Sequence, residues 1–436
     1  MSEVQSILKS VSFKDLENWS VSHLLKDTLR FNKKYQVVKL KEILSKADIE
    51  WVNIEDDKKY PILGVHSQGQ GVYINRIAIG NELTMRKYQK SKAFHLFYCK
   101  VRTVKGQWGV VYPKYENSYA SSNMQYLKIN LSKIIPEFLE NLLKIKRLTD
   151  LWDQNAIGAD GRHFNKNILL NLEIPLPSLQ QQEELIQDIF YYEKSLKDLE
   201  NNYKQLINDF NQSIFSKKVK ENENLLNFIN YQDLGYWSVS SNLENNFNHS
   251  NNYPLVKISD FLRRNKTQII VQDDIEYKRV TIKINNGGVF LRDKKLGKEI
   301  GTKKQFLIKK GQFLLSKIDA RNGAFGLATD EVDGAIITAD FFAYNIDIQK
   351  INPQFLVFIT TTRQFKEFAQ SASNGTTNRQ RINEDKFLNV KIPLPSLEEQ
   401  NKLIAPIIEN LEQQKEAQKN KEEAIKEFER EIFDEA

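Results

Sequence analysis

The side chains best suited to chemistry in this chain are amides, guanidiniums and ammoniums gathered beside glycines. Ser67, Gln68, Gln70, Asn75 and Arg76 surround Gly69 and Gly71, and Arg86 and Lys87 follow. Asn285, Asn286, Arg292, Lys294 and Lys295 surround Gly287 and Gly288, and Arg321-Asn322 stand further on. The run Asn374 to Arg381 adds Thr377, Asn378, Arg379 and Arg381, at the place that Gly158 to His163 holds earlier in the chain. Asn and Gln present a donor next to an acceptor, which fits the adenine edge, and Arg presents a fork of donors, which fits guanine. Glycine turns carrying such groups suit recognition of a hydrogen-bonding surface rather than bond-breaking.

Residues for catalysis do not assemble. Gly297 to Lys303 has glycines and lysines but not the spacing of a phosphate-cradling G-x-x-x-x-G-K-[ST] loop. A G-x-G-x-x-G fingerprint is missing, and so is the Asn/Asp-Pro-Pro-aromatic motif of amino-methyltransferases. The five histidines, His23, His66, His95, His163 and His249, lack ligand spacing, and His66 reads as a loop or core residue. One cysteine, Cys99, excludes an intramolecular disulfide and a multi-cysteine zinc site. We expect no cofactor and no metal. The first residues carry no basic and apolar blocks of a signal peptide, and no apolar run approaches ~20 residues, so a soluble, cytoplasmic protein is expected.

The elements that position these groups are announced by one phrase used twice. Ile174-Pro175-Leu176-Pro177-Ser178-Leu179 returns as Ile392-Pro393-Leu394-Pro395-Ser396-Leu397, 218 residues on in a chain of 436. Alternate prolines hold the chain extended, and Ser178 and Ser396 are natural helix N-caps, with Gln181 and Glu399 three residues later. Leu185, Ile189, Tyr192, Leu196, Leu199, Tyr203, Leu206, Phe210 and Ile214 then recur at spacings of three and four, a coiled-coil seam. In the copy, Leu403, Ile407, Ile425, Phe428 and Ile432 keep the period, Asn410, Gln414 and Lys421 fall on the seam, and Pro406 is expected to kink it.

Other anchors repeat in the same order. Trp19-Ser20-Val21-Ser22 matches Trp237-Ser238-Val239-Ser240, and Tyr35-x-x-Val38-Lys39-Leu40 matches Tyr253-x-x-Val256-Lys257-Ile258. Gly71-Val72-Tyr73-Ile74 matches Gly288-Val289-Phe290-Leu291; Gly106, Trp108 and Gly109 match Gly323, Phe325 and Gly326; Pro136 matches Pro353. The chain therefore reads as a tandem duplication of class α+β: a globular domain over 1–173, a long helix over 174–218, a second globular domain over 219–391 and a second helix over 392–436. The two helices are expected to pair as an antiparallel coiled coil, with 215–230 linking the halves. Strands are expected at Lys100–Thr103, Gly109–Tyr112, Phe313–Ser316 and Gly326–Thr329, and helices at Pro136–Lys146 and Pro353–Ser371. Tyr73, Trp108, Phe290 and Phe325 are expected to pack the cores.

Charge divides along the same lines. Net charge is +7, yet the helical stretches 178–218 and 396–436 hold 11 Lys+Arg against 19 Asp+Glu, leaving 52 against 37 elsewhere. The basic excess sits on the globular parts, as it does when those parts face a polyanion.

The proline phrase, the Gln180 to Glu184 and Glu398 to Gln400 runs behind it, and the Gly71 and Gly288 turns resemble the DNA-specificity subunit of type I restriction–modification systems, over essentially the whole chain. The resemblance implies that each globular domain reads one half of a bipartite site in double-stranded DNA. It implies that the helices set the spacing and dock two methyltransferase subunits, to which motor/nuclease subunits attach. It also implies a chain that is not itself an enzyme and has no membrane role. The polar stretch in the second helix and the weakly apolar 120–124, set against Ile336–Phe342, depart from the pattern. A coiled-coil adaptor without a DNA role and a self-contained DNA-modifying enzyme are the alternatives.

Overall fold

The computed structural model describes residues 31–100, 106–153, 166–215, 253–371, 373–374 and 381–433. By contact density the chain divides into two units, Met1–Leu196 with Glu416–Ala436, and Lys197–Lys415. Both boundaries fall inside the long helices, Leu179–Ile214 and Leu397–Ile432. The Trp19 and Trp237 anchors, the 216–230 linker and Thr377, Asn378 and Arg379 lie outside the described residues.

In the first unit a five-stranded sheet runs in the order Trp51–Asn53, Lys87–Lys90, Tyr119–Ala120, Lys59–Val65, Val72–Ile79, and a four-stranded sheet in the order Leu44–Lys46, Met124–Ile129, His95–Cys99, Trp108–Val111. The second unit repeats both orders, from Gln268–Ile270 to Gly288–Leu296 and from Leu262–Arg264 to Phe325–Leu327. Pairings recur residue for residue: Trp51 opposite Gln89 becomes Gln268 opposite Phe306, and Ile62 opposite Tyr119 becomes Arg279 opposite Ile336. The mixed α+β duplication is thus present at the level of register.

The proline phrase is itself a strand. Glu173–Leu176 pairs antiparallel with Gln36–Lys39, and Lys391–Pro393 with Leu255–Lys257. Two anchors separated by well over a hundred residues are therefore hydrogen-bonded to each other in each unit. Proline is tolerated because each pair is a two-stranded ribbon with open edges. The helix start then forms as the capping pattern requires: Gln181 N–H donates to Ser178 Oγ at 3.3 Å and Ser178 N–H to Gln181 Oε1 at 3.0 Å. In the copy, Glu399 N–H donates to Ser396 Oγ at 3.3 Å.

Both helices are 36 residues long, and the second continues through Pro406 as a single helix. Within the first unit Ile189 packs with Phe428 and Ile432, and Lys421 pairs with Glu193 at 2.9 Å. Within the second, Leu206 and Phe210 pack with Leu403 and Ile407. Early positions of one helix meet late positions of the other in both units, the order of an antiparallel pair. The polar seam positions are satisfied. Asn410, 2% exposed, donates to the Leu199 carbonyl at 3.2 Å, and Gln414 donates to Asn410 Oδ1 at 2.6 Å. A buried amide satisfied in one register only penalises the others. Ile425 does not lie on the seam, being exposed, and the smaller Ala424 packs there instead.

Some boundaries move for local reasons. Of the strand expected at Lys100–Thr103, Lys100 lies in the turn that follows the strand His95–Cys99, and residues 101–103 lie outside the described residues. The helix expected over Pro353–Ser371 breaks at Thr362, whose backbone is extended. There Thr360, Thr361 and Thr362 each bond back to the carbonyl three residues earlier, and Thr362 Oγ then accepts from Phe365 N–H. Hydroxyls that compete for backbone groups end one helix and cap the next. Among the described residues no helix is long and apolar enough to cross a membrane.

Candidate nucleic-acid interface

In each unit the candidate residues around the glycine turn lie on one hairpin, Lys59–Val65 with Val72–Ile79 and Glu276–Lys283 with Gly288–Leu296. The tips need left-handed backbone: Gln68, Gly69 and Gly71 in the first, Asn285, Asn286 and Gly288 in the second, have φ between 57° and 87°. Asn is the side chain that tolerates this best after Gly, which explains the Asn-Asn pair. The tips are anchored. Gly69 N–H donates to the Gly106 carbonyl at 2.7 Å; Asn285 and Asn286 N–H donate to the carbonyls of Asn322 and Gly323 at 2.7 and 2.8 Å. The paired glycine anchors also meet: a Cβ on Gly109 would lie 2.6 Å from Gly71 Cα, and one on Gly326 3.1 Å from Gly288 Cα. A bare backbone is required for the hairpin to lie on the second sheet.

Midway along each hairpin the register slips. Ile62 faces Arg76 and Leu63 faces Ile74, so Asn75 is the extra residue; Arg279 faces Asp293 and Val280 faces Leu291, so Arg292 is the extra residue. Both are exposed. A bulge turns its side chain out of the regular alternation and bends the strand around it.

The expected residues divide by surroundings. Ser67, Gln68, Gln70, Asn75, Arg76 and Lys87 are exposed, as are Asn285, Arg292, Lys294 and Asn322, while Asn286, Lys295 and Arg321 are half-buried. The structure brings the Asn285-Asn286 tip together with the Arg321-Asn322 turn. Asn286 is partly committed inward, its Nδ2 lying 3.4 Å from Thr360 Oγ. Arg381 is held by Asp340 at 3.2 Å. Arg86 is held by Asp56 at 2.5 Å, and the same brace reappears as Lys303 on Asp273 at 2.6 Å. Among the aromatics, Trp108 and Phe325 are buried as expected and Tyr73 stacks on His66 at 4.0 Å. Phe290 instead is exposed, with the Lys283 ammonium 4.3 Å from its ring centre.

Two sets of residues were not singled out by type and spacing. The first is structural. Gln182 and Gln400 are fully buried, and each makes the same three bonds: it accepts from Ile135 or Asn352 N–H and donates to the carbonyls of Lys133 and Pro177, or of Lys350 and Pro395. These amides fix the Pro136–Lys144 and Pro353–Thr361 helices to the long helices. The second is electrostatic. Arg264 and Lys317 both sit 4.2 Å from the Phe342 ring centre, with Glu384 3.5 Å from Arg264. Burial lowers the pKa of both cations, and for Lys317 the Arg264 charge adds to it. No local pattern announces them, because Arg264, Lys317, Phe342 and Glu384 come from segments far apart in sequence. By contrast Arg279 grips Asp293 with two bonds of 2.7 Å, which holds the Asp293 carboxyl below its usual range.

Comparison with known proteins places this arrangement. The family model for the type I restriction modification DNA specificity domain matches residues 32–209 and 243–427. The chain belongs to that family. It is a DNA-specificity subunit with two target-recognition domains, and each matched segment holds one of the two bulged hairpins and one of the equivalent buried amides Gln182 and Gln400. Among solved structures, the chain is similar to the type I restriction–modification S subunit from M. genitalium at 12% identity and TM-score 0.48, covering 94% of this chain and 98% of that one. It is similar to the HsdS subunit from Thermoanaerobacter tengcongensis at 13% identity and TM-score 0.33, covering 93% and 98%. A chain from work on complex assembly and conformational transition of the type I R-M system is similar at 14% identity and TM-score 0.40, covering 92% and 96%. No curated protein matches the sequence.

Proposed function

We propose that this chain reads a bipartite site in double-stranded DNA, one half with each globular domain, and performs no catalysis itself. The observation that carries the reading is a duplicated scaffold, matched by the specificity family in both segments, whose exposed hairpin residues differ while its framework repeats. Sequence is read by side chains at base edges once phosphate contacts have set the register. The exposed residues Gln68, Asn75, Arg76, Arg292 and Lys294, with Asn322 beside the second tip, supply both kinds of contact. The globular segments 1–173 and 219–391 act as target-recognition domains, and the helical segments 174–218 and 392–436 set the spacing and dock two methyltransferase subunits. Motor/nuclease subunits join through that complex, in the cytoplasm. The acidic balance of the helical segments supports protein rather than DNA partners for them.

Co-expression with candidate methyltransferase subunits, followed by methylation mapping at base resolution, tests the reading. A split motif with two unlike halves is expected. Methylation by this chain alone, or the absence of salt-dependent DNA binding by the assembled complex, overturns it.

A further inference from the structure

The two bulges carry a consequence for sequence choice that rests on the reading above. At the open end of each hairpin the framework repeats bond for bond. Glu55 N–H donates to the Tyr60 hydroxyl at 3.0 Å, and Gln272 N–H to the Tyr277 hydroxyl at 3.1 Å. Ile79 N–H donates to the Glu82 carboxylate at 3.1 Å, and Leu296 N–H to the Glu299 carboxylate at 3.2 Å. Gly80 and Gly297 lie so close to the Glu55 and Gln272 carbonyls that a Cβ on either would stand 2.0 or 1.8 Å from the oxygen. The bulge falls at the same step in both hairpins, between Ile62 and Leu63 and between Arg279 and Val280.

The bulge residue changes from the amide of Asn75 to the guanidinium of Arg292, and the pair beside it changes from Ile62 and Arg76 to Arg279 and Asp293, which bond to each other and leave the bulge side chain as the one turned outward. Arg292 is 60% exposed and reaches Asp293 only at 3.7 Å, because Arg279 already occupies that carboxylate with two bonds. Asn75 is exposed as well. An amide presents donor and acceptor to adenine, and a guanidinium presents two donors to the acceptors of guanine.

We propose that Asn75 and Arg292 are equivalent base-reading positions, so that the two half-sites differ at one corresponding base pair, adenine read by the first domain and guanine by the second. Two domains with one scaffold then acquire different targets through a residue that the scaffold leaves free. Lys294 and Lys87, exposed nearby on the same sheets, supply phosphate contacts without base preference.

The test is selection from a randomised duplex library by the full chain in complex with its methyltransferase subunits, run for wild type, Asn75→Arg, Arg292→Asn and Arg292→Lys. Wild type yields a split motif. Asn75→Arg moves one position in one half from A to G, and Arg292→Asn moves one position in the other half from G to A. Arg292→Lys keeps the charge and loses the fork, so overall affinity holds while the preference for G drops roughly five- to hundredfold. A split motif unmoved by all three substitutions, or a uniform loss of affinity with preference intact, overturns the base-reading assignment alone. Failure of wild type to select any split motif overturns the functional reading, and this assignment with it. Circular dichroism and retained complex formation separate these outcomes from misfolding.

Discussion

The first and second units share a framework and differ in what fills it. Where the first unit holds a half-buried polar pair, Glu140 accepting from the Tyr112 hydroxyl at 3.0 Å and from Val110 N–H at 3.4 Å, the corresponding positions of the second carry Val357 and Thr329. The second fills its core with Phe313, Phe325, Phe365, Phe387 and Tyr344. Both solutions hold the same glycine contacts and the same buried glutamine. Register and backbone approach are fixed by a small set of repeated groups, and the packing between them is free to drift as long as volume is filled.

The largest test of that shared framework lies on the helices. Phe428 packs edge-on against Phe138 at 5.8 Å in the first unit, and Phe210 against Phe355 at 5.6 Å in the second. Phe428→Ala should therefore destabilise the first unit and Phe210→Ala the second, each by about 3–5 kcal/mol. Hydrogen exchange resolved by region reads which unit loosens. Loosening of the same unit by both variants would break the comparison.

Next come the buried amides. Gln182→Leu and Gln400→Leu each strand one backbone N–H and two carbonyls, and should cost about 2–4 kcal/mol in the affected unit. Unequal losses in denaturant unfolding would show that the two copies of this lock are not equivalent.

A smaller effect separates the halves rather than uniting them. Burial raises the Glu140 pKa, and the Tyr112 pKa rises through burial and the Glu140 charge beside it. A carboxyl whose folded pKa lies above its unfolded value favours folding at low pH, and that contribution is lost as pH rises through the raised folded value. The first unit should thus lose stability relative to Glu140→Gln as pH climbs from the acid range towards neutrality, while the second, with Val357, shows no counterpart. Thermal melts across that range, followed by a probe in each unit, decide it.

The smallest effect concerns the braces. Arg86→Ala and Lys303→Ala remove exposed ion pairs and should each change stability by about 0.2–1 kcal/mol. DNA preference should be unaltered by Arg86→Ala. A changed recognition motif would place Arg86 at a base after all.

These braces mark where sequence reading stops. The glycine anchors, the capping serines and most of the helical seam were legible, because positive φ, cap geometry and a period of three and four act over short distances. The antiparallel pairing followed from two helices of equal length. The ion pair of Arg86 was not legible, because its partner Asp56 lies 30 residues away in a separate turn. The burial of Gln182 was not legible, since nothing in a Gln-Gln-Gln run tells which amide turns inward. The strand character of the proline phrase was hidden by the prolines, and its partner sits at the far end of the domain. Asn75 and Arg292 were chosen for their chemistry; their common position at a bulge is a property of cross-strand register, which one strand alone does not carry.

The late position of Phe428, Ile432 and Phe433 in the first unit's core sets an order in time. The second unit, Lys197–Lys415, is one continuous stretch and can complete its core as soon as that stretch has left the ribosome. The first, though made earlier, waits for Glu416 onward, whose Ile432 carbonyl accepts from Asn32 N–H at 3.0 Å and whose Phe433 stacks on Phe31. At roughly 5–20 residues per second that wait is on the order of ten to fifty seconds. During synthesis the half that begins the chain is the last to close.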